Sequence, residues 1–381
     1  MVKNNLIFIL LISFSFIFFL SVKVSGIPKN NISMRQAYEL YKNKFLTPEG
    51  RIIDPDKKNI TTSEGQSYMM MLCIMFDDEK TFKQIYKWTQ DNLQRDDKLF
   101  SWLWGKDKDG KYKILDENSA SDADVDIAYS LIVGYKKWRN PQYLKDAKEI
   151  INAIWEHETK RVGDHLILMP GVIQTQEKKI EVNPSYFSPY AFRMFNNYDE
   201  LHDWNTLVDS SYYYLNQVTS QTATGLPPNW FLIENGKIVL EDSERSDFSY
   251  DAVRVFSRIY FDFILTGDKR ALSVVTKSKV FIQEWNNSSS MHTSYKINGE
   301  LRDNSQYLGT VSIIVPIISI FDKELATDIY DKKLSSKFND KNYWQSKNNY
   351  YGKNLSLFGW FLYDKKSKEY KDLLKLKILK K

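Results

Sequence analysis

ENSASDADVDIAYSL, residues 117–131, reads as the start of a helix. Ser119 or Ser121 offers an oxygen to cap free backbone amides, and Asp122 and Asp124 put negative charge at the positive end of the helix. Helical periodicity continues to Trp138, and Arg139-Asn140-Pro141 then turns the chain into a second helix over 141–158. A turn this short makes the two helices antiparallel neighbours. DADVD (122–126) also opens like a calcium loop. It has Ile127 where that loop needs Gly and Val133 where it needs a bidentate Glu, so it fails twice.

The same pattern extends in both directions. Apolar periodicity predicts helices over 34–45, 64–76, 79–93, 122–138, 141–158, 185–196, 199–217, 249–265, 268–284, 305–320, 322–335 and 342–362. Turns such as Phe76-Asp77-Asp78-Glu79 and Thr266-Gly267-Asp268 again pair them as antiparallel neighbours. Strand signals are confined to hairpins: DKDGKY (107–112) with Asp-Gly, and IENGKIVL (233–240) and KINGEL (296–301) with Asn-Gly. The longer irregular stretches, 95–121, 160–184 and 218–248, alternate with helix pairs and are candidate functional loops. No Gly/Ser or Pro linker divides the chain, so an all-α domain of helical hairpins is expected.

The ends carry their own information. Leu6–Val22 is apolar except for Ser13, Ser15 and Ser21, and small residues around Gly26 allow cleavage there. Residues 1–26 read as a secretory signal, or as an anchor if uncleaved. That places the protein outside the cytoplasm, secreted, periplasmic or membrane-anchored. Cys73 is the only cysteine, set within MMMLCIMF as a buried thiol, so packing alone holds the fold. The net charge of +5 loses Lys3 and Lys23 with the signal, while the basic tail 365–381 carries eight lysines against Glu369 and Asp372. The body, 27–364, is therefore mildly acidic and offers no basic face for nucleic acid.

Several chemistries fail on inspection. GKDKDGKY (105–112) has phosphate-loop spacing but Tyr112 where a Mg-binding hydroxyl is required. His157, His165, His202 and His292 are scattered, so no metal site is expected. No G-x-S-x-G elbow is present. What remains is carboxylates set among aromatics. Glu64 lies in TTSEGQSY (61–68), Asp122 in the opening stretch, and Asp251 in RSDFSYDAVRVF (245–256). Each has a structural alternative: Glu64 in a capping box with Thr61, Asp122 on the helix dipole, Asp251 paired with Arg254 one turn on. Together they suit glycosidic-bond cleavage, which needs one protonated carboxyl and one ionised carboxylate between flat aromatic walls. FSWLWG (100–105), NPSYFSPYAFR (183–193), PPNWF (227–231), Tyr250 and NYYGKN (349–354) supply the aromatics.

SEGQSY (63–68), WLWG (102–105), ASDADVDIAYSL (120–131) with Trp138 downstream, NPSY (183–186) and SYDAVR (249–254) resemble glycoside hydrolase family 8 in order and content. The likeness is greatest to bacterial endo-1,4-β-glucanases of cellulose-synthesis operons. The resemblance implies an (α/α)6 barrel of six inner and six outer helices, and an inverting enzyme that needs no cofactor. It makes Glu64 the general acid, Asp251 the base that activates water, and Asp122 the aspartate that holds and distorts the sugar at the cleavage subsite. It also sets Trp104 to stack on a sugar, Tyr186 near the water or the −1 sugar, and Arg254 to orient Asp251; Trp102, in a loop-like stretch beside Asp-Gly, and Tyr250 are further substrate-binding aromatics. Met69 and Gly134 depart from the usual Gly and Ala of the family's pattern. The expected partner is a β-1,4-linked polysaccharide, with a link to a cellulose-synthesis or biofilm system, met by a monomer. Xylan, chitosan, mixed-linkage glucan or another exopolysaccharide stand as alternatives, and a non-catalytic glycan-binding factor as a further one.

Overall fold

A computed structural model of the chain describes residues 32–172 and 179–380. The expected signal, residues 1–26, lies outside the described residues. Helix α1 (Met34–Phe45) precedes the pairs α2 (Ser63–Met75) and α3 (Glu79–Leu93), α4 (Ser121–Trp138) and α5 (Pro141–Glu158), and α6 (Pro189–Tyr198) and α7 (Asn205–Thr219). Next come α8 (Val253–Thr266) with α9 (Lys269–Val275) and α10 (Lys279–Ser288). Then α11 (Leu308–Phe321) is followed by the short α12 (Lys323–Ile329), α13 (Ser335–Phe338) and α14 (Lys341–Gln345). The last are α15 (Tyr350–Tyr363) and α16 (Lys368–Lys375).

Side-chain chemistry sorts these helices into two layers. In α2, SEGQSYMMMLCIM, only Glu64 and Met71 escape full burial, and α11 and α15 are likewise buried around nearly their whole circumference. A helix with no face for water belongs inside. Helix α3 buries one stripe, built on Phe82, Ile85, Tyr86, Trp88, Thr89 and Leu93, and α5 another, built on Tyr143, Ala147, Ile150, Ile151 and Ile154 with Glu158 at its end. That spacing marks an outer layer. Helix α2 packs on α4, α4 on α6, α6 on α8, α8 on α11, α11 on α15, and α15 returns to α2. The ring closes, giving the expected (α/α)6 barrel. Because an outer segment carries the chain back each time, all six inner helices begin at the same end of the ring.

The inner ring is tightest where α11 meets α15. A Cβ added to Gly359 would collide with the Ser312 backbone oxygen, and backbone cannot step aside as a flexible side chain can. Gly359→Ala is therefore expected to destabilise the fold by about 1–3 kcal/mol, read as a lower midpoint in urea unfolding. An unchanged midpoint would mean that the two helices are free to separate.

Small antiparallel sheets decorate the barrel. Strand β1 (Thr61–Thr62) pairs with β2 (Ser101–Lys106), and β2 with β3 (Tyr112–Ser119) across the expected Asp-Gly turn, where Gly110 takes φ +79°. Strands β4 (Thr159–Val162) and β5 (His165–Leu168) form a hairpin; β6 (Lys179–Val182) pairs with β7 (Phe231–Glu234), which turns at Asn235-Gly236 into β8 (Lys237–Val239). The stretch 296–301 keeps its turn, with Gly299 at φ +91°, but contributes only an isolated bridge between Tyr295 and Leu301.

Several expected boundaries move for identifiable reasons. The helix expected over 185–196 begins at Pro189, because Pro184 and Pro189 confine the preceding residues to a short 3-10 turn. The one expected over 199–217 begins at Asn205, since Asp199 turns back to accept from the Trp204 indole at 2.7 Å. The segment 342–362 is two helices. Asn349 adopts a left-handed conformation, φ +59°, and its side chain caps α15 through the Gly352 amide. The basic tail is not wholly solvated: α16 buries Tyr370 and Leu373, and Ile378 follows them into the core.

Candidate active site

Two of the three carboxylates come from the first turns of inner helices and the third from the turn that leads into another. Thr62, held extended by pairing with Leu103, caps α2 through the Gly65 amide at 3.0 Å. That corrects the capping-box alternative: the cap is Thr62 rather than Thr61, and the Glu64 side chain is free for other partners. Helix α4 starts at Ser121 with Ala120 in the cap position and no side-chain cap, so neither Ser119 nor Ser121 serves as expected. Ser121 Oγ donates instead to the Met169 carbonyl and Ser119 Oγ to Glu158. Asp251 lies in the turn just before α8, and Arg254 is the second residue of that helix.

One guanidinium gathers all three. Arg254 Nη1 donates to Glu64 Oε2 at 2.5 Å and to Asp122 Oδ2 at 2.9 Å, while Nη2 reaches Asp251 Oδ1 at 3.3 Å. Tyr68, one turn beyond Glu64, accepts from Arg254 at 3.0 Å and donates to Glu64 at 3.4 Å. The Arg254 and Asp122 side chains are only 4% and 2% exposed, whereas Glu64 keeps 25% and Asp251 42% of theirs in contact with solvent. Glu64 and Asp251 thus face the open side and Asp122 the floor. The two bonds to opposite ends of one planar fork hold the Glu64 and Asp251 oxygens within roughly 8 Å of each other.

Three carboxyls around one cation cannot all be ionised cheaply. Burial pushes the Glu64 carboxyl up; Arg254 pulls it down, and Asp122 and Asp251 push it up again, leaving it at about 7. Burial also raises Asp122, against the pull of Arg254 and Arg258. Asp251 is ringed by donors: besides Arg254, the Trp230 indole N–H lies at 3.3 Å and Asn183 Nδ2 at 3.5 Å. Glu64 is therefore placed to carry a proton near neutral pH, and Asp251 to meet water.

A second rung lies one turn deeper. Arg258 grips Asp126 with two bonds of 2.7 Å and also reaches Ser188 Oγ and Tyr190 Oη. Asp122–Arg254 and Asp126–Arg258 thus form a buried ladder between α4 and α8. The spacing of four on both helices was available in the sequence, but neither Asp126 nor Arg258 stood out there as a site residue. Beneath the ladder a cavity of about 50 Å³ is lined by Tyr68, Met71, Asp126, Arg258 and Phe358.

The aromatic expectations divide. Tyr186 lies under Arg254, its ring 5.5 Å from the guanidinium carbon, and meets Trp230 edge-on. Tyr250 is 43% exposed beside Asp251, its ring against Tyr307, and its carbonyl accepts from Tyr351 Oη at 3.0 Å. Trp102 and Trp104 stand on β2, one strand from the residues that lead into Glu64, and both are half-buried. Trp104 packs edge-on against Trp88, and Trp102 bonds to Asp116. Structure therefore unites Glu64, Asp122, Asp251, Arg254 and Tyr186 in one contact network, with Tyr250 at its edge and the two tryptophans along the neighbouring strand. Trp230, Asn183 and Tyr68 join it without having been singled out as site residues, although each lies in a stretch quoted for its aromatics or its glutamate.

A model of the glycosyl hydrolases family 8 matches residues 16–366. An endoglucanase of Escherichia coli O157:H7 is 34% identical over 227 residues, covering 58% of this chain and 60% of its own length. An endoglucanase of Salmonella typhi is 31% identical over 250 residues, covering 64% and 66%. The chain thus matches somewhat under two thirds of these relatives' length. Among solved structures, an endo-1,4-D-glucanase from Vibrio fischeri ES114 superposes with a TM-score of 0.76 at 27% identity, covering 86% of this chain and 94% of that one.

Proposed function

The chain belongs to the glycosyl hydrolases of family 8, and on that footing we propose that it is an endo-1,4-β-glucanase that inverts the anomeric centre. The observation that carries the reading is the shared guanidinium: one carboxyl raised to about 7 and one solvent-facing carboxylate are fixed to opposite ends of Arg254. Glu64 donates its proton to the glycosidic oxygen as the bond to the anomeric carbon breaks. Asp251 takes a proton from the water that attacks the same carbon from the other face. The ceiling of roughly 8 Å between them is compatible with the ~6.5–9.5 Å separation that leaves room for this water. Asp122, fixed on the floor, is placed to bind a hydroxyl of the distorted sugar, and Trp102, Trp104 and Tyr250 to stack on sugar faces.

The apolar run Leu6–Val22 supports export, so that the enzyme meets its polymer outside the cytoplasm. The likeness to endoglucanases supports a cellulose-like substrate and a place beside cellulose synthesis. The test is NMR of cello-oligosaccharide hydrolysis. The first product is expected as the α-anomer; a β-anomer would replace single displacement by a covalent intermediate. Hydrolysis of xylan or chitosan with cello-oligosaccharides untouched would move the substrate to another glycan.

A further inference from the structure

A second pair of carboxyls lies behind the first turn of α4 and takes no part in the chemistry above. Asp124 and Glu158 are both completely buried. Asp124 Oδ1 accepts from the Phe100 amide at 2.9 Å, and Glu158 Oε1 from Ser119 Oγ at 2.6 Å. Their remaining oxygens, Asp124 Oδ2 and Glu158 Oε2, are buried with no donor from the rest of the protein, and the two side chains lie within bonding reach of each other. Two carboxylate oxygens repel; a bond between them requires a proton. The charged groups facing the pair are themselves acidic. Asp122 lies on α4 and Asp97 in the turn before β2, where Arg95 already engages it. Arg254 is committed to Asp122 and the other active-site carboxylates.

We infer that Asp124 and Glu158 are a proton-sharing carboxyl pair that positions Asp122 and the β2–β3 hairpin for substrate. Phe100 immediately precedes β2, which carries Trp102 and Trp104, and Ser119 is the last residue of β3. Both ends of the hairpin are thereby tied to the helix turn that holds Asp122. Ser119 Oγ also accepts from the Val172 amide at 3.0 Å, and Ser121 N donates to the Pro170 carbonyl at 3.0 Å, which bring a third segment into the same knot. Helix α4 has no side-chain cap, and this knot secures its start instead. The inference rests on the proposed roles of Asp122 and of the two tryptophans.

Its sign with pH follows from the burial. Burial raises Glu158 to about 8 and Asp124 well above the ordinary carboxyl range. A raised carboxyl contributes fully below its unfolded value, and its contribution shrinks as pH climbs and is gone above the folded value. Alkaline solution should therefore open the knot while the barrel stands. The experiment is hydrogen exchange of residues 100–124, corrected for intrinsic rate. In the wild type, protection should fall at least about tenfold between pH 7 and pH 9.5, the effect of one lost charge-assisted hydrogen bond. In Glu158→Gln, and independently in Asp124→Asn, an amide N–H replaces the shared proton and protection should hold. Wild-type protection that ignores pH, or a loss that persists in either folded amide variant, overturns the inference. Cellohexaose binding in a Glu64→Gln background, which removes the Glu64 titration, should weaken in parallel and be steadied by adding Glu158→Gln. Binding that ignores pH while the hairpin loosens would also overturn the positioning role. Exchange as expected with no cellohexaose binding at any pH would strike the glucanase reading and leave the pair intact.

Discussion

Glu64→Gln is expected to reduce hydrolysis by about 10²–10⁴-fold, the usual share of a positioned general acid, while the unfolding midpoint stays at or above that of the wild type. Glutamine keeps an oxygen for Arg254 and has nearly the same volume, so packing in α2 is unchanged. What disappears is the proton, together with one of three mutually repelling carboxyls around a single guanidinium. The pH profile gives an independent signature. Glu64, raised to about 7, must be protonated to act as the proposed acid, so the wild-type rate should decline as pH rises through that value. The residual rate of the variant should lack this decline. Wild-type activity in the variant would remove Glu64 from the donor role, and an unfolded variant would return it to a structural one.

Arg254→Met is expected to damage both fold and activity. It strands Asp122, which is 2% exposed and takes its only cationic contact from Arg254 among the described residues. Removing one partner of a buried ion pair costs about 3–5 kcal/mol, because the surviving charge has lost its compensation. The deficit should narrow as pH is lowered, since protonated Asp122 needs no cation. The rate should fall as far as in Glu64→Gln or farther, because the proposed acid and base lose their common anchor. With the downward pull of Arg254 gone, whatever rate remains should lose its alkaline limb to higher pH. Arg254→Lys should recover part of the stability and little of the rate: an ammonium supplies the charge but not a planar fork that spans three carboxylates. Urea unfolding at two pH values and a pH–rate profile read all of this. A variant as stable as the wild type would mean that Asp122 is already protonated there.

Much of this site could be read in the chain because its members sit at helix starts with strong local patterns. SEGQSY, SASDAD and SYDAVR each place a carboxylate beside small and hydroxyl residues before an apolar run, and the structure brings those three side chains onto Arg254. Helix bounds were legible where periodicity alone decides, as in α3 and α5. They failed where one residue overrides it: Pro189 at the start of α6, and Asn349, whose left-handed backbone splits 342–362. Trp230 and Asn183 were hidden for a different reason. Each reaches Asp251 from a loop remote in sequence, and such an approach leaves no periodic trace. The Asp124–Glu158 pair was equally hidden, since two acids 34 positions apart look like solvated charges until the barrel folds them together.

All six inner helices begin at the end of the ring that holds Arg254, and the sheet that borders Glu64 lies in the connections around it. The carboxylates proposed to act are thereby bolted to the ring, whereas Trp102 and Trp104, proposed to stack on sugars, ride on a connection between its helices. Lengthening a connection costs little, about 0.6 kcal/mol for each doubling, and leaves the carboxylate spacing alone. Reach and reactivity are thus separable traits in this architecture. On the proposed reading, a chain with longer or shorter hairpins than 101–119 would take a different polymer, or a different length of it, with the spacing of its three acids unchanged.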